Sequence, residues 1–334
     1  MQIMHEGGIF LNDRAVVLLE QYDVEVSRTY KGRERIIFET NQGNYALMEY
    51  KGRTQKLELM EKMQEHIGTL MGNDMLLRNK EGELFTKDMD GTVYIAKKHI
   101  EGRECNYKSE AEVLLAFEMM AKLHCAMAEV KDEKMQELPV FDYVEEMQKH
   151  TRECVHVRRY IRNKGQKTEF EREILKQYDY FLEQAQDVTR RAQQEDIELY
   201  KERVYQENLF YHGDYQYHNV LFARDGISVV NFEKFGRGSG VRDIYLLFRK
   251  ISEKNDWALT FGRRMLEAYE KHRKLSSWEK VQLYERLSYP DKFWKIVNFY
   301  ANTRKSWIPD KNLEKLEQIV RQEKAKQGLL KTLF

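Results

Sequence analysis

Short runs of β-branched and aromatic residues recur over roughly the first hundred positions and predict a small antiparallel sheet. Turn residues separate the apolar runs, and one longer stretch has helical spacing instead. The predicted elements are two strands within 24–40 around the turn Lys31-Gly32-Arg33, a strand at 45–50 (YALMEY), a helix at 54–71 with Leu57, Met60, Met63 and Ile67 on one stripe, and strands near 75–78 and 92–98.

The pattern changes around HIEGREC (99–105), and from about residue 109 it is almost entirely helical. The predicted elements there are helices at 110–124, 141–163 and 168–195, two short strands around Arg224-Asp225-Gly226, and further helices from 241 to the end. The sequence therefore predicts an α+β, two-lobed fold. A small β lobe with one main helix spans 1–100, and a mostly helical lobe spans 101–334.

Composition and cysteine spacing bear on the ligands and the cellular compartment of the protein. The 334 residues are 42% hydrophobic and carry a net charge of +1, which gives no argument for binding nucleic acid or a membrane. No apolar run approaches the ~18 residues that span a bilayer. Cys105, Cys125 and Cys154 have no metal-ligand spacing, and the N-terminus does not resemble a signal peptide. We expect a cytoplasmic protein with three reduced thiols.

The stretch YHGDYQYHNVLF (211–222) contains the candidate chemistry, in the pattern H-x-D-x-x-x-x-N. Phosphoryl transfer needs an acceptor hydroxyl aimed in line and charge neutralised on the phosphate oxygens. Asp214 would orient the hydroxyl or accept its proton, and Asn219 would offer an oxygen to Mg²⁺. His212 would hold the loop by hydrogen bonding. The alternative is that His212 and Asp214 only build a turn.

With the VVNFE strand and the helix start at 242–245, this motif resembles the aminoglycoside/choline phosphotransferase superfamily. Within that superfamily the chain resembles the CotS-like spore coat family of spore-forming bacteria. The stretches that carry the narrower resemblance are YIAKKHIEGREC (94–105), Lys122-Leu123-His124 and YPDKFWKIVNFYANTRKSWI (289–308).

The resemblance implies a protein-kinase-like fold, with ATP and Mg²⁺ as cofactors. It implies that Asp243 supports the catalytic loop structurally. It also implies synthesis in the mother cell and assembly into the spore coat, with other coat proteins as partners and a small molecule or coat protein as acceptor.

The metal site departs from the pattern of the family. Relatives have an Asp in the strand after the loop, where this chain has Asn231, whose amide oxygen brings no negative charge to a Mg²⁺ site. Glu233 lies two residues further on, so it shares a strand face with Asn231 and could bind the metal in its place. A solvated carboxylate at Glu233 is the alternative.

The phosphate site departs from it as well. Relatives carry a Lys in the third strand, where this chain has Met48, and the helix Glu that would pair with it is Glu58 or Glu61 unless both are surface charges. The candidate nucleotide contacts are Met48, Lys31, Arg33 and Ile100, and Lys51 and Lys56 lie near the missing lysine.

Three functions follow from this sequence. The leading hypothesis is a coat-associated, kinase-like protein with a degenerate phosphotransfer site, acting by binding nucleotide or protein. The rivals are a working ATP-dependent phosphotransferase and a purely structural coat component.

Overall fold

The computed structural model describes residues 17–32, 35–303 and 310–334, so that Arg33, one of the candidate nucleotide contacts, lies outside the described residues. The first part of the chain forms an antiparallel sheet in the order β1-β2-β3-β7-β5, with β6 also paired to β7. Its strands are β1 (Val26–Gly32), β2 (Arg35–Thr40), β3 (Gly43–Glu49), β5 (Leu76–Leu77), β6 (Thr86–Lys87) and β7 (Val93–Lys98).

The strand order places β7 inside the sheet, between β3 and β5. Met48 on β3 lies opposite Ile95, and Ala46 lies opposite Lys97. These four side chains share one face because strand residues alternate between faces. Ile95 and Met48 pack into the main hydrophobic core on that face.

A second sheet joins segments that are far apart in the sequence. Its order is β4-β11-β10-β8, with β4 parallel to β11 and the other pairs antiparallel. The strands are β4 (Gly72–Asn73), β8 (Arg103–Glu104), β10 (Val220–Ala223) and β11 (Gly226–Val229), and a separate pair consists of β9 (Phe210–Tyr211) and β12 (Gly236–Arg237).

Helices make up most of the rest of the molecule. They are α1 (Gln55–Ile67), α2 (Glu110–Ala128), α3 (Tyr143–Asn163), α4 (Glu169–Ala192), α5 (Ile197–Gln206), α6 (Val241–Lys254), α7 (Leu259–Glu270), α8 (Ser277–Ser288), α9 (Asp291–Asn302) and α10 (Asp310–Leu333). The largest core cluster runs from Met60 on α1 through Phe117 on α2 to Phe248 on α6, so that it is continuous between sheet and helices. The predicted α+β, two-lobed, protein-kinase-like fold is confirmed.

Some elements were not predicted from the sequence. Helix α5 was missed, although Asp196 accepts hydrogen bonds from the backbone N–H groups of Glu198 and Leu199 and so caps its start. The three cysteines are all free thiols. Within the described ranges, no helix is both long and apolar enough to cross a bilayer.

Helix α4 begins with a capping box, which gives a modest stability prediction. The Thr168 hydroxyl accepts from the backbone N–H of Glu171, whose carboxylate accepts from the backbone N–H of Thr168 in return. We expect Thr168→Ala to lower the free energy of unfolding by about 1 kcal/mol. Urea unfolding measures the change. Thr168→Ser keeps the hydroxyl and should unfold like the wild type, and equal losses in both variants would contradict the capping role.

Candidate phosphate and metal site

The loop that follows β9 makes a tight turn against Lys234 that only glycine fits at position 213. Gly213 has φ +84°, and a Cβ at this position would lie 2.2 Å from the carbonyl oxygen of Lys234. His212 accepts from the backbone N–H of Asp214 at 3.2 Å through Nδ1 and donates through Nε2 to the Val230 carbonyl at 3.1 Å. Burial lowers the pKa of His212, so its ring is neutral and fixes the loop rather than reacting.

Asp243, in the first turn of α6, supports the same loop by binding its backbone. Its carboxylate accepts from the backbone N–H of His212 at 2.6 Å and of Gly213 at 2.8 Å, and His124 Nε2 lies 3.1 Å away. The side chain is fully buried. Burial opposes ionisation, but hydrogen bonding and charge from His124 and the loop lower the pKa of Asp243 below its ordinary value.

Asp214 is the half-buried carboxylate that this loop presents. Burial acts to raise its pKa, but hydrogen bonding from Gln216 and the charge of Lys234 outweigh burial and lower it. Gln216 Nε2 lies 2.6 Å from Oδ1, and Lys234 Nζ lies 3.2 Å from Oδ2. Asp214 is therefore ionised at neutral pH, as a base that orients a hydroxyl must be.

Asn219 and Asn231 bind each other. The Asn231 side-chain amide donates to Asn219 Oδ1 at 2.7 Å, and the Asn219 amide donates to the Asp214 carbonyl at 2.7 Å. The prediction that Asn231 and Glu233 share a strand face is wrong. Strand β11 ends at Val229, Asn231 has φ +72°, and Glu233 lies in a 3₁₀ turn. Glu233 still reaches the site, but from a turn and not from a strand.

Lys97 occupies the centre of the site. It extends from β7, and its ammonium nitrogen lies 2.7 Å from Asp74 Oδ2 and 2.7 Å from Asn231 Oδ1, and it also contacts the Glu233 carboxylate. Its side chain is 1% exposed. Burial acts to lower the pKa of Lys97, but Asp74 and Glu233 outweigh burial and raise it, so the ammonium stays charged. We call these four residues the Lys97 cage.

Asp74, in the loop between β4 and β5, supplies a carboxylate that the sequence analysis did not find. Its Oδ2 also accepts from the Asn231 backbone N–H at 2.8 Å, and Gln64 on α1 donates to its carbonyl at 3.0 Å. Burial raises the pKa of Asp74, although the Lys97 charge opposes this. The carboxyl group that is missing at position 231 is therefore supplied to the site by a different segment.

The sequence does contain a signal for Lys97. In YIAKKH, Ile95 and Lys97 are two residues apart and so lie on the same face of the central strand. A lysine on a buried face requires an acidic partner. Asp74 has no such signal, since its proximity to Asn231 arises from the pairing of β4 with β11. The two residues that the sequence analysis missed are thus the ones that bind each other.

Several other predicted residues make their contacts elsewhere. Glu58 and Glu61 both bind Arg78 and do not contact Lys97, so neither takes the role predicted for a helix glutamate. Met48 packs against the core, Ile100 is partly buried, and Lys31 is exposed on β1. Lys51 is also exposed and lies near Glu49.

Lys56, at the start of α1, reaches the edge of the cage. Its ammonium donates to the Glu233 carbonyl at 3.3 Å. Burial lowers the pKa of Lys56 to about 8, although Glu233 acts in the opposite direction. A second positive charge therefore lies beside the Glu233 backbone.

The residues present do not fit a magnesium ion. Mg²⁺ binds oxygen at about 2.0–2.1 Å and requires free acceptors, whereas Asn219 Oδ1, Asn231 Oδ1 and Glu233 Oε1 already accept hydrogen bonds from within the chain. Across the described part of the chain, no group of three or more His, Cys, Asp or Glu residues is placed to hold a metal.

Comparison with protein families gives one match over nearly the whole chain. Residues 15–333 match the family described as "Spore coat putative kinase YutH". No curated protein sequence matches the chain significantly.

Several solved structures with a similar fold are phosphotransferases or kinases. An aminoglycoside phosphotransferase from Alicyclobacillus acidocaldarius has a TM-score of 0.78 at 16% identity, covering 98% of this chain and 96% of the other. The AMP-bound spectinomycin phosphotransferase APH(9)-Ia has a TM-score of 0.65 at 12% identity, with 92% of each chain covered. Amicoumacin kinase hAmiN with AMP-PNP, Ca²⁺ and Ami has 0.61 at 11%, covering 96% and 94%. At these identities the likeness shows the fold alone.

Proposed function

Because the chain belongs to the Spore coat putative kinase YutH family, we propose that it is a coat-associated, kinase-like protein that binds a nucleotide without a divalent metal and transfers no phosphoryl group. Synthesis in the mother cell and assembly with other coat proteins are part of the proposal and rest on the family description.

One observation carries the proposal: the cation at the candidate metal site is the chain's own Lys97. It is buried, charged and bound by three oxygens. A magnesium ion would have to displace it and leave the ammonium without partners in a closed site, which is unfavourable by several kcal/mol. A nucleotide would therefore bind beside a site whose cation is already a fixed ammonium, and it would bring no metal into that site.

The absence of transfer follows from what the metal normally supplies. Metal ions neutralise charge on the transferring phosphoryl group, and removing one preorganised electrostatic group reduces rates by roughly 10²–10³. Asn231 brings no charge, and its oxygen is taken by Lys97. The ionised Asp214 remains, but a base without the metal gives little turnover.

The nucleotide part of the proposal is supported by structures of similar fold. One is named as a complex with AMP and another as a complex with AMP-PNP and Ca²⁺. The shared fold covers more than nine tenths of this chain in both comparisons. We therefore assign the nucleotide to the cleft that contains Lys97 and Asp214.

A working ATP-dependent phosphotransferase is the second candidate, and one observation favours it. Asp74 restores a carboxylate to the site, so Asp74, Asn231 and Glu233 would together offer enough negative charge if Lys97 moved aside. A third outcome, a purely structural coat component, would leave the cleft without any ligand.

Calorimetric titration of ATP into the full chain, once with EDTA and once with Mg²⁺, separates these functions. We expect the same dissociation constant in both, and no ADP formed during incubation with spore coat extract or small-molecule alcohols. Asp214→Asn is the matched control, and it should bind ATP like the wild type. Mg²⁺-dependent ADP formation that disappears in Asp214→Asn would establish the phosphotransferase instead, and absence of binding in both titrations would leave the structural component.

A further inference from the structure

We infer that Asp74, Asn231 and Glu233 form a divalent-cation site that Lys97 masks, its ammonium taking the place of the ion. The masked site explains physically why the proposed function needs no metal. Its biological meaning rests on that proposed function. Its test uses a metal ion alone, so that it stands or falls independently of nucleotide binding.

Oxygens from three separate segments converge on the Lys97 ammonium nitrogen. Asp74 comes from the loop after β4, Asn231 from the left-handed residue after β11, and Glu233 from the 3₁₀ turn that follows. Each holds its oxygen in place by a further contact or by the local backbone. The Asp74 carboxylate, for example, also binds the Asn231 backbone N–H at 2.8 Å.

The three donors have the chemistry that a divalent cation requires. Two carboxylates and one amide oxygen are hard ligands of the kind that Mg²⁺, Ca²⁺ and Mn²⁺ prefer. The two oxygens at 2.7 Å from Lys97 Nζ would need to approach by only a few tenths of an ångström to reach the about 2.3–2.6 Å typical of Ca²⁺. Removing the lysine side chain would leave room for waters to complete the coordination shell.

In the wild-type chain, Lys97 excludes the ion. The Lys97 ammonium is covalently tethered, so it is always present at the site, whereas a dissolved ion must compete for it. The Lys97 side chain is 1% exposed, and its ion-pair partners among the described residues are Asp74 and Glu233. Lys56 beside the Glu233 carbonyl adds a second repulsive charge.

The experiment compares Mn²⁺ binding to wild type, Lys97→Ala and Lys98→Ala, followed by loss of the free Mn²⁺ signal in electron paramagnetic resonance. We expect Lys97→Ala to bind one Mn²⁺ at least about tenfold more tightly than the wild type, since affinity follows the number of charged ligands left free. Lys98→Ala removes an exposed lysine from the same strand and should behave like the wild type.

A double variant identifies the ligands. Asp74→Asn combined with Lys97→Ala should lose the new binding, because one carboxylate of the site is gone. If Lys97→Ala does not fold, Lys97→Ser, whose hydroxyl is short and hydrogen-bonds locally, replaces it. Mn²⁺ should then also raise its melting temperature.

Two results would overturn the inference. One is Mn²⁺ binding by Lys97→Ala no tighter than that of the wild type, and the other is new binding that survives Asp74→Asn. Neither depends on ATP. The proposed function, by contrast, fails on Mg²⁺-dependent turnover by the wild-type protein, so the two failures are distinguishable.

Discussion

Replacing Asp243 by Ala should lower the free energy of unfolding by about 3–5 kcal/mol at neutral pH, because two buried backbone N–H groups and His124 lose their acceptor together. Urea denaturation measures the change, with the slope of the transition checked for constancy. Asp225→Ala, in an exposed turn, is the matched control and should cost little. A loss below about 1 kcal/mol for Asp243→Ala would contradict its role as the support of the loop.

The pH dependence of this loss has a definite sign. The pKa of Asp243 is lowered in the folded protein, so its contribution is fully present above the unfolded pKa of about 3.9. That contribution is lost as the pH falls through the lower folded pKa. The difference between wild type and Asp243→Ala should therefore be constant above about pH 5 and shrink in more acidic solution. A difference that grows on acidification would contradict the lowered pKa.

Replacing Lys97 by Met should be about as destabilising, at roughly 3–5 kcal/mol, since it leaves Asp74 and Glu233 buried without a counter-ion. Adding Asp74→Asn returns the local net charge to its wild-type value and should recover part of the loss. The double-mutant cycle, measured by urea unfolding, gives the coupling between the two residues. Lys98→Met should be nearly neutral, and strictly additive effects of Lys97→Met and Asp74→Asn would show that the ion pair does not stabilise the fold.

The main architecture could be predicted from the sequence because its signals are local. The apolar run in YALMEY and the helical stripe at 54–71 each depend on neighbouring residues, and both elements are present as β3 and α1. The loop at Asp214 could be predicted for the same reason, since its spacing is fixed within one short segment.

The Lys97 cage could not be predicted in the same way, because it depends on contacts between distant segments. Asp74 and Asn231 are separated by 157 positions, and only the pairing of β4 with β11 brings them together. The same limit explains the error over Glu233. A left-handed residue at Asn231 ends the strand, and alternation along the sequence gives no sign of it.

The pairing of β4 with β11 also has a mechanical consequence. Gly72 and Asn73 belong to the part of the chain that carries the antiparallel sheet, yet their backbone lies in register with Ser228 and Val229 beyond the Asp214 loop. Many two-lobed enzymes close over their substrates by rotating one lobe about a hinge. Here such a rotation would have to strain a shared sheet and pull Lys97 away from Asn231 and Glu233 at the same time. The pairing therefore ties the antiparallel sheet to the segment that carries Asn231 and opposes rotation of one lobe against the other.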